Sequence, residues 1–333
     1  MLTSVLAGCS AMIQQTIALR DSWPRGVPAI SEVVEVPFYP QQGRWCGPAT
    51  LASALNHASF PATPDSLAGQ VFAPGLGGSL QVEMLAAARR AGALAYKLRP
   101  QLVDLLQEVA AGHPVLVLQD NGFGLVSAWH YALVIGYNYP AGELYLRSGR
   151  TPRLAMPFTV FEASWRSSNY WSMVVLPPDV VPATANEADL LSSLLALSQS
   201  QSIAVEHSLA QPQSQSQRPN PGVIGLQTFL GRWPANELAS TALANLHYER
   251  HQLQEAETVL RAGLRGRPES VTMRNNLAQV LADQYRCAEA TWEIEQIPPL
   301  QSEQMRFAAD IADTTRAIAA SMSAGKCQTA AVR

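Results

Sequence analysis

Cys46 and His130 are of the right types, in the right settings, for nucleophilic chemistry. Cys46 stands in QQGRWCGPATLASAL (41–55), on a Cys-Gly-Pro step that opens an alanine- and leucine-rich run. Leu51, Ala52, Leu55 and Ala58 recur at helical spacing, which predicts a helix over 46–58 that begins at the cysteine. Pro48 suits its first turn, where a missing N–H costs nothing because the first helical N–H groups lack intrahelical partners. A thiol at the positive end of a helix dipole ionises more readily, and the thiolate is the reactive species. A structural cysteine in a core helix would have no use for the Gly-Pro step that follows.

A thiol nucleophile needs a base. Of the six histidines, only His130 begins a strand-like run, HYALVIGY (130–137), which a turn NYPAG and a return run ELYLRS (143–148) convert into a hairpin. His57 falls near the end of the Cys46 helix and reads as a solvated face residue, and His113 precedes a proline at the start of a strand. His207, His247 and His251 belong to a linker and to helical repeats. Alone, His130 reads as a core residue; beside Cys46 it reads as the group that takes the thiol proton and returns one to a leaving amine.

The elements that must position this pair occupy the first half of the chain. Residues 33–178 mix strand-like and helical runs, whereas 231–322 hold helical patterns only. Between them, LSQSQSIAVEHSLAQPQSQSQRPNPG (197–222) is rich in Gln, Ser and Pro and poor in aromatics, and its second half reads as a flexible insertion. In the C-terminal part residues pair at a separation of 34: Leu243 with Leu277, Ala244 with Ala278, Glu255 with Glu289, Ala256 with Ala290, and Pro234 with Pro268. That is the tetratricopeptide period, with small residues where helices cross and a proline after each second helix. About two repeats and a closing helix (301–322) are expected, after a worn earlier repeat ending in FLGRWPAN. Such stacks present a concave groove to a peptide or protein partner.

VPFYPQQGRWCGPATLASAL, GHPVLVL, HYALVIGY and FEASWRSSNYWSMVVLPP, in that order, resemble the papain-like peptidase family that processes bacteriocin leaders. The resemblance covers roughly 33–178. It implies Cys46 as nucleophile, His130 as base, and a glutamine shortly before the cysteine whose amide joins the Cys46 N–H in an oxyanion hole. Gln41 is the first choice and Gln42 the close alternative. The family usually has an aspartate at the end of the return strand to orient the histidine; here that slot holds Ser148, flanked by Arg147 and Gly149. A hydroxyl can hydrogen-bond an imidazole but does not stabilise imidazolium as a carboxylate does. Asp120 and Asn121, at the end of the preceding strand, are the other orienting candidates.

The expected architecture is therefore an α+β papain-like peptidase domain (33–180) followed by an all-α tetratricopeptide-repeat solenoid (231–325). A leader remnant and linker (1–32) precede them, and a degenerate repeat with the Gln/Ser insertion (181–230) lies between. Leu6-Ala7-Gly8-Cys9 spells a bacterial lipobox, which predicts an acylated Cys9 and, with Ser10 after it, an outer-membrane-anchored lipoprotein facing the periplasm. Only eight residues precede Cys9 and none is basic, unlike a full secretory leader. An oxidising compartment would join Cys287 to Cys327 on neighbouring expected helices. The four cysteines lack zinc-type spacing, and GLGG (75–78) has no Lys-Ser/Thr sequel, so neither metal nor phosphate cofactor is expected. With 23 Lys and Arg against 26 Asp and Glu, nothing favours a nucleic-acid partner. The expected function is thiol-dependent peptide hydrolysis, with the repeats recruiting a protein substrate or partner. A catalytically dead scaffold is the alternative, and Ser148 favours it.

Overall fold

The computed structural model describes residues 13–41, 45–73, 75, 78–122, 126–207 and 220–327, and the chain divides into two units, Met1–Gln217 and Arg218–Arg333. The first opens with helix α1 (Gln14–Asp21) and strand β1 (Ile30–Glu32), followed by α2 (Cys46–His57) and α3 (Pro64–Val71). A two-stranded ribbon, β2 (Phe72–Ala73) and β3 (Gly78–Ser79), leads into α4 (Gln81–Arg90), β4 (Leu94–Lys97), α5 (Leu102–Ala110) and β5 (Val115–Asp120). The hairpin β6 (Trp129–Asn138) and β7 (Glu143–Ser148) then continues into β8 (Thr151–Pro157), α6 (Phe158–Arg166), β9 (Ser172–Leu176) and α7 (Glu187–His207). Seven strands form one sheet in the order β4-β9-β5-β6-β7-β8, with β1 also paired to β6.

The alternation in HYALVIGY decides how this sheet is covered. Tyr131, Leu133 and Ile135 point to one face and pack with Leu51, Ala52, Ala54 and Leu55 of α2. Every residue of α2 from Gly47 to Leu55 is buried, so this helix is a core element. Its alanines let the backbone lie close to β6, in the middle of the sheet, and that contact fixes the helix that begins at Cys46.

Two segments differ from the sequence expectation. The stretch assigned to a linker before residue 33 contains α1, whose first N–H groups are capped from a distance: the carboxylate of Glu162 on α6, fully buried, accepts from Gln15 N at 2.8 Å and Thr16 N at 2.6 Å. Residues 187–207, expected to form a worn repeat and the start of the insertion, are one helix that packs on α4 and β4 of the first unit. Leu190, Leu191, Leu194 and Leu197 bury its apolar face, while Gln201 Nε2 donates to Arg89 O at 2.6 Å. Leu190, Leu191 and Leu194 precede the Gln/Ser-rich stretch, and most of its second half, the part read as flexible, lies outside the described residues.

The second unit is helical: α8 (Pro221–Arg232), α9 (Glu237–Tyr248), α10 (Leu253–Gly266), α11 (Val271–Asp283), α12 (Cys287–Glu295), a 3-10 turn (Ser302–Phe307) and α13 (Ala308–Ser323). Helix starts recur with the sequence period, Glu237 to Val271 and Leu253 to Cys287. So do the N-caps: Asn236 accepts from Ala239 N at 2.9 Å, and Ser270 accepts from Met273 N at 3.1 Å. Ala244, Ala256, Leu260, Leu277, Leu281 and Ala290 share one core. Cys287 and Cys327 are joined by a disulfide that ties the chain after α13 to the start of α12.

Candidate active site

Cys46 is the first residue of α2, with Trp45 as N-cap making no side-chain cap bond. The thiol therefore stands where the helix leaves N–H groups without intrahelical partners. It is half-buried and is the free cysteine among the described residues. Across from it, His130 lies near the start of β6. Both line one cleft of about 1050 Å3, together with Gly78, Ser79, Leu80, Val82, Trp129 and Tyr131. Burial, and after it the nearby Cys46 charge, push the Tyr131 phenol well above its ordinary range, and its hydroxyl donates to Ser79 O at 3.1 Å.

His130 is held by the hairpin. Its Nε2 lies 2.9 Å from Ser148 Oγ at the end of β7, so the slot opposite the histidine is filled by the serine. An irregularity in the β6–β7 ladder between Val134 and Gly136 shifts the register on the way there. Nδ1 has no hydrogen-bond partner among the described residues. Burial lowers the imidazole's pKa below the ordinary histidine value, with no carboxylate to oppose it. Asp120 is engaged elsewhere: its Oδ1 accepts from Gly122 N at 2.9 Å and Ala128 N at 2.7 Å, closing the β5–β6 loop and holding its pKa below the usual carboxylate range. Asn121 donates its backbone N–H to Ala128 O in the same loop.

The expectation for Gln41 needs correction. Its side chain is buried, donating from Nε2 to Thr50 Oγ1 at 3.0 Å and accepting at Oε1 from Gly149 N at 3.2 Å, while Gln41 N donates to Gly149 O at 2.9 Å. Thr50 in turn donates to Tyr131 O at 3.2 Å. Gln41 thus pins its segment to α2 and to the β7–β8 turn, and it is absent from the cleft walls. Two candidates, Gln42 and the lipobox cysteine Cys9, lie outside the described residues, as does the GLGG pair Leu76 and Gly77.

Sequence reasoning missed Ser79. A Cβ built on Gly47 would lie 2.6 Å from Ser79 Cβ, so the glycine after Cys46 is required by the approach of β3 to α2. Ser79 Oγ is buried without a hydrogen-bond partner. The cleft lining carries no Asp, Glu, Lys or Arg among the described residues, and Trp129, Val82 and Leu80 present exposed apolar surface along it. No group of three metal-binding side chains occurs among the described residues.

Residues 33–173 match a family model described as the Peptidase_C39 like family. The match supports a papain-like peptidase fold for the first unit and peptidase chemistry in general, leaving individual residues to the geometry. A C39-like peptidase from Bacillus anthracis is similar at 18% identity, covering 44% of this chain and 97% of its own, with a TM-score of 0.39. The double-glycine-motif protease of an AMS/PCAT transporter, solved with its leader peptide, is similar at 17% identity over 44% of this chain and 92% of its own, with a TM-score of 0.32. No curated protein matches the chain.

Proposed function

We propose that the first unit is a cysteine peptidase in which Cys46 attacks a peptide carbonyl. His130 takes the thiol proton through Nδ1 and delivers it to the leaving amine; water then releases the acyl group by the reverse proton path. The supporting observation is the arrangement of His130: Nε2 is occupied by Ser148, Nδ1 makes no hydrogen bond among the described residues, and His130 and Cys46 line one cleft. The Cys46 N–H at the helix start contributes to the oxyanion site, and Gln42 is its side-chain donor, since Gln41 is engaged elsewhere. The uncharged lining favours a substrate segment with apolar side chains beside the scissile bond.

The deciding experiment is mass-spectrometric mapping of iodoacetamide labelling on folded protein at pH 6, combined with cleavage of a peptide library. Cys46 should label fast, and His130→Ala should slow it by orders of magnitude and abolish cleavage. Slow labelling that ignores His130 would leave the scaffold reading, which the uncharged Ser148 supports.

The same reading extends to the rest of the chain. The 34-residue helix period supports a tetratricopeptide-type stack that recruits a polypeptide, substrate or partner. Leu6 to Cys9 supports an exported protein anchored to the periplasmic side of the outer membrane by acyl chains on Cys9; Cys9→Ser should release it from the membrane fraction. Retention of that variant would remove the anchor.

A further inference from the structure

A cavity of about 300 Å3 in the second unit is walled by α9, α11 and α13, with Leu260 of α10 at its base. Its polar lining consists of Asn245, Tyr248, Asn275, Asn276, Gln279, Asp310, Asp313 and Thr314. Three donors in this set are engaged within the unit. Asn276 Nδ2 donates to Asn245 Oδ1 at 3.2 Å, Gln279 Nε2 to Asp283 Oδ1 at 3.1 Å, and the Tyr248 hydroxyl to Asp283 Oδ2 at 2.5 Å. Asp310 and Asp313 add two carboxylates to this lining. Asn275 Oδ1 is buried with no hydrogen-bond partner, and Thr314, only 4% exposed, stands in the lining beside the two aspartates.

A buried acceptor without a donor, as Asn275 Oδ1 is, costs free energy until something donates to it. The charge points the same way. No lysine or arginine lines the cavity, and the basic group beside it, Arg316, pairs with Asp313 from the exposed side of α13. Asp310 has no basic partner among the described residues, and Asp283 adds a third carboxylate behind Tyr248. A ligand matching this lining must bring a positive charge and several N–H donors.

We propose that this cavity binds an arginine side chain of the polypeptide that the helical unit recruits; the assignment rests on that recruiting reading and specifies its partner. Guanidinium is a planar fork of five donors that stays charged at any physiological pH. Asp310 and Asp313 take the fork, while Asn275 Oδ1 and Thr314 Oγ1 accept the remaining N–H groups.

The test is titration calorimetry of the full chain with a capped heptapeptide carrying one central arginine in a Gly, Ala and Ser background. The same peptide with citrulline keeps the shape and loses the charge. The arginine peptide should bind at least about tenfold more tightly, the scale of one charge-assisted hydrogen bond. The doubly substituted Asp310→Asn, Asp313→Asn protein should lose that preference. Both aspartates are exposed, so these variants keep the fold, and Thr314→Val should weaken both peptides while leaving the preference for arginine. Equal affinity for arginine and citrulline, or no saturable binding at millimolar peptide, overturns the assignment. Since no step involves cleavage, the result is independent of Cys46. If a longer arginine-free polypeptide binds while the arginine peptide does not, recruitment stands and the arginine site falls.

Discussion

His130 is held at Nε2 by a hydroxyl, Ser148, rather than by a carboxylate. Burial depresses the imidazole's pKa, and Ser148 orients Nε2 without supplying the negative charge that would restore it. Ser148→Asp should therefore raise the pKa of His130, seen as an upfield-to-downfield NMR titration displaced to higher pH, and should keep or increase turnover. Ser148→Ala should cost less than the roughly 10⁴-fold that loss of a triad aspartate brings. An unmoved titration in Ser148→Asp would mean that the new carboxylate does not reach Nε2. The same depression links stability to pH. An unfolded chain protonates this histidine near pH 6.5 while the folded one still resists, so the unfolded state binds more protons and stability falls as pH drops through that value. The denaturation midpoint of the wild type should lose ground to that of His130→Gln between pH 8 and 5.5. A constant difference would show that the histidine titrates alike in both states.

Two elements, α2 and the β6–β7 hairpin, carry the site, and both were legible in the sequence for physical reasons. CGPATLASAL combines a helix-start step with an all-round apolar run, and HYALVIGY alternates with a turn after it, so helix, strand and the Ser148 slot could each be placed. What could not be read was how side chains are spent once elements meet. Gln41 and Gln42 are equivalent on paper, and only packing shows Gln41 bridging Thr50 and Gly149. Ser79 lies 32 residues from Gly47, and no local pattern announces that its side chain packs against the glycine. Glu162 caps α1 across 146 residues, which composition cannot foretell. These contacts give separable predictions. Gln41→Ala should destabilise the protein by about 1–3 kcal/mol through unpaired buried groups, with the labelling rate of Cys46 little changed in protein that stays folded. Gln42→Ala should instead lower kcat at unchanged stability. Gly47→Ala, which drives a methyl into Ser79, should cost about 1–3 kcal/mol in a urea melt and slow Cys46 labelling together. Wild-type behaviour of Gly47→Ala would show that β3 yields freely.

At the scale of the whole molecule, among the described residues one core lies between α2 and a face of the sheet and another among α9 to α13, and they share no residue. The disulfide belongs wholly to the second, and its two cysteines are 40 residues apart in sequence. Closing a loop of that length restricts the unfolded chain and contributes about 2–4 kcal/mol in the chain-entropy account. That stabilisation serves a helical unit whose α13 packs on α11 and α12 with few buried side chains of its own, Thr314 and Ile318. The double variant Cys287→Ser, Cys327→Ser should therefore lower one calorimetric transition and loosen α13, raising amide exchange around Asp310 and Thr314 and weakening arginine-peptide binding. Cys46 labelling and the other transition should be unaffected. If both transitions fall together, the two cores unfold as one block and the disulfide stabilises the peptidase unit as well. If neither moves, α13 is held by packing alone, and the bridge has no part in keeping the acidic wall of the cavity in place.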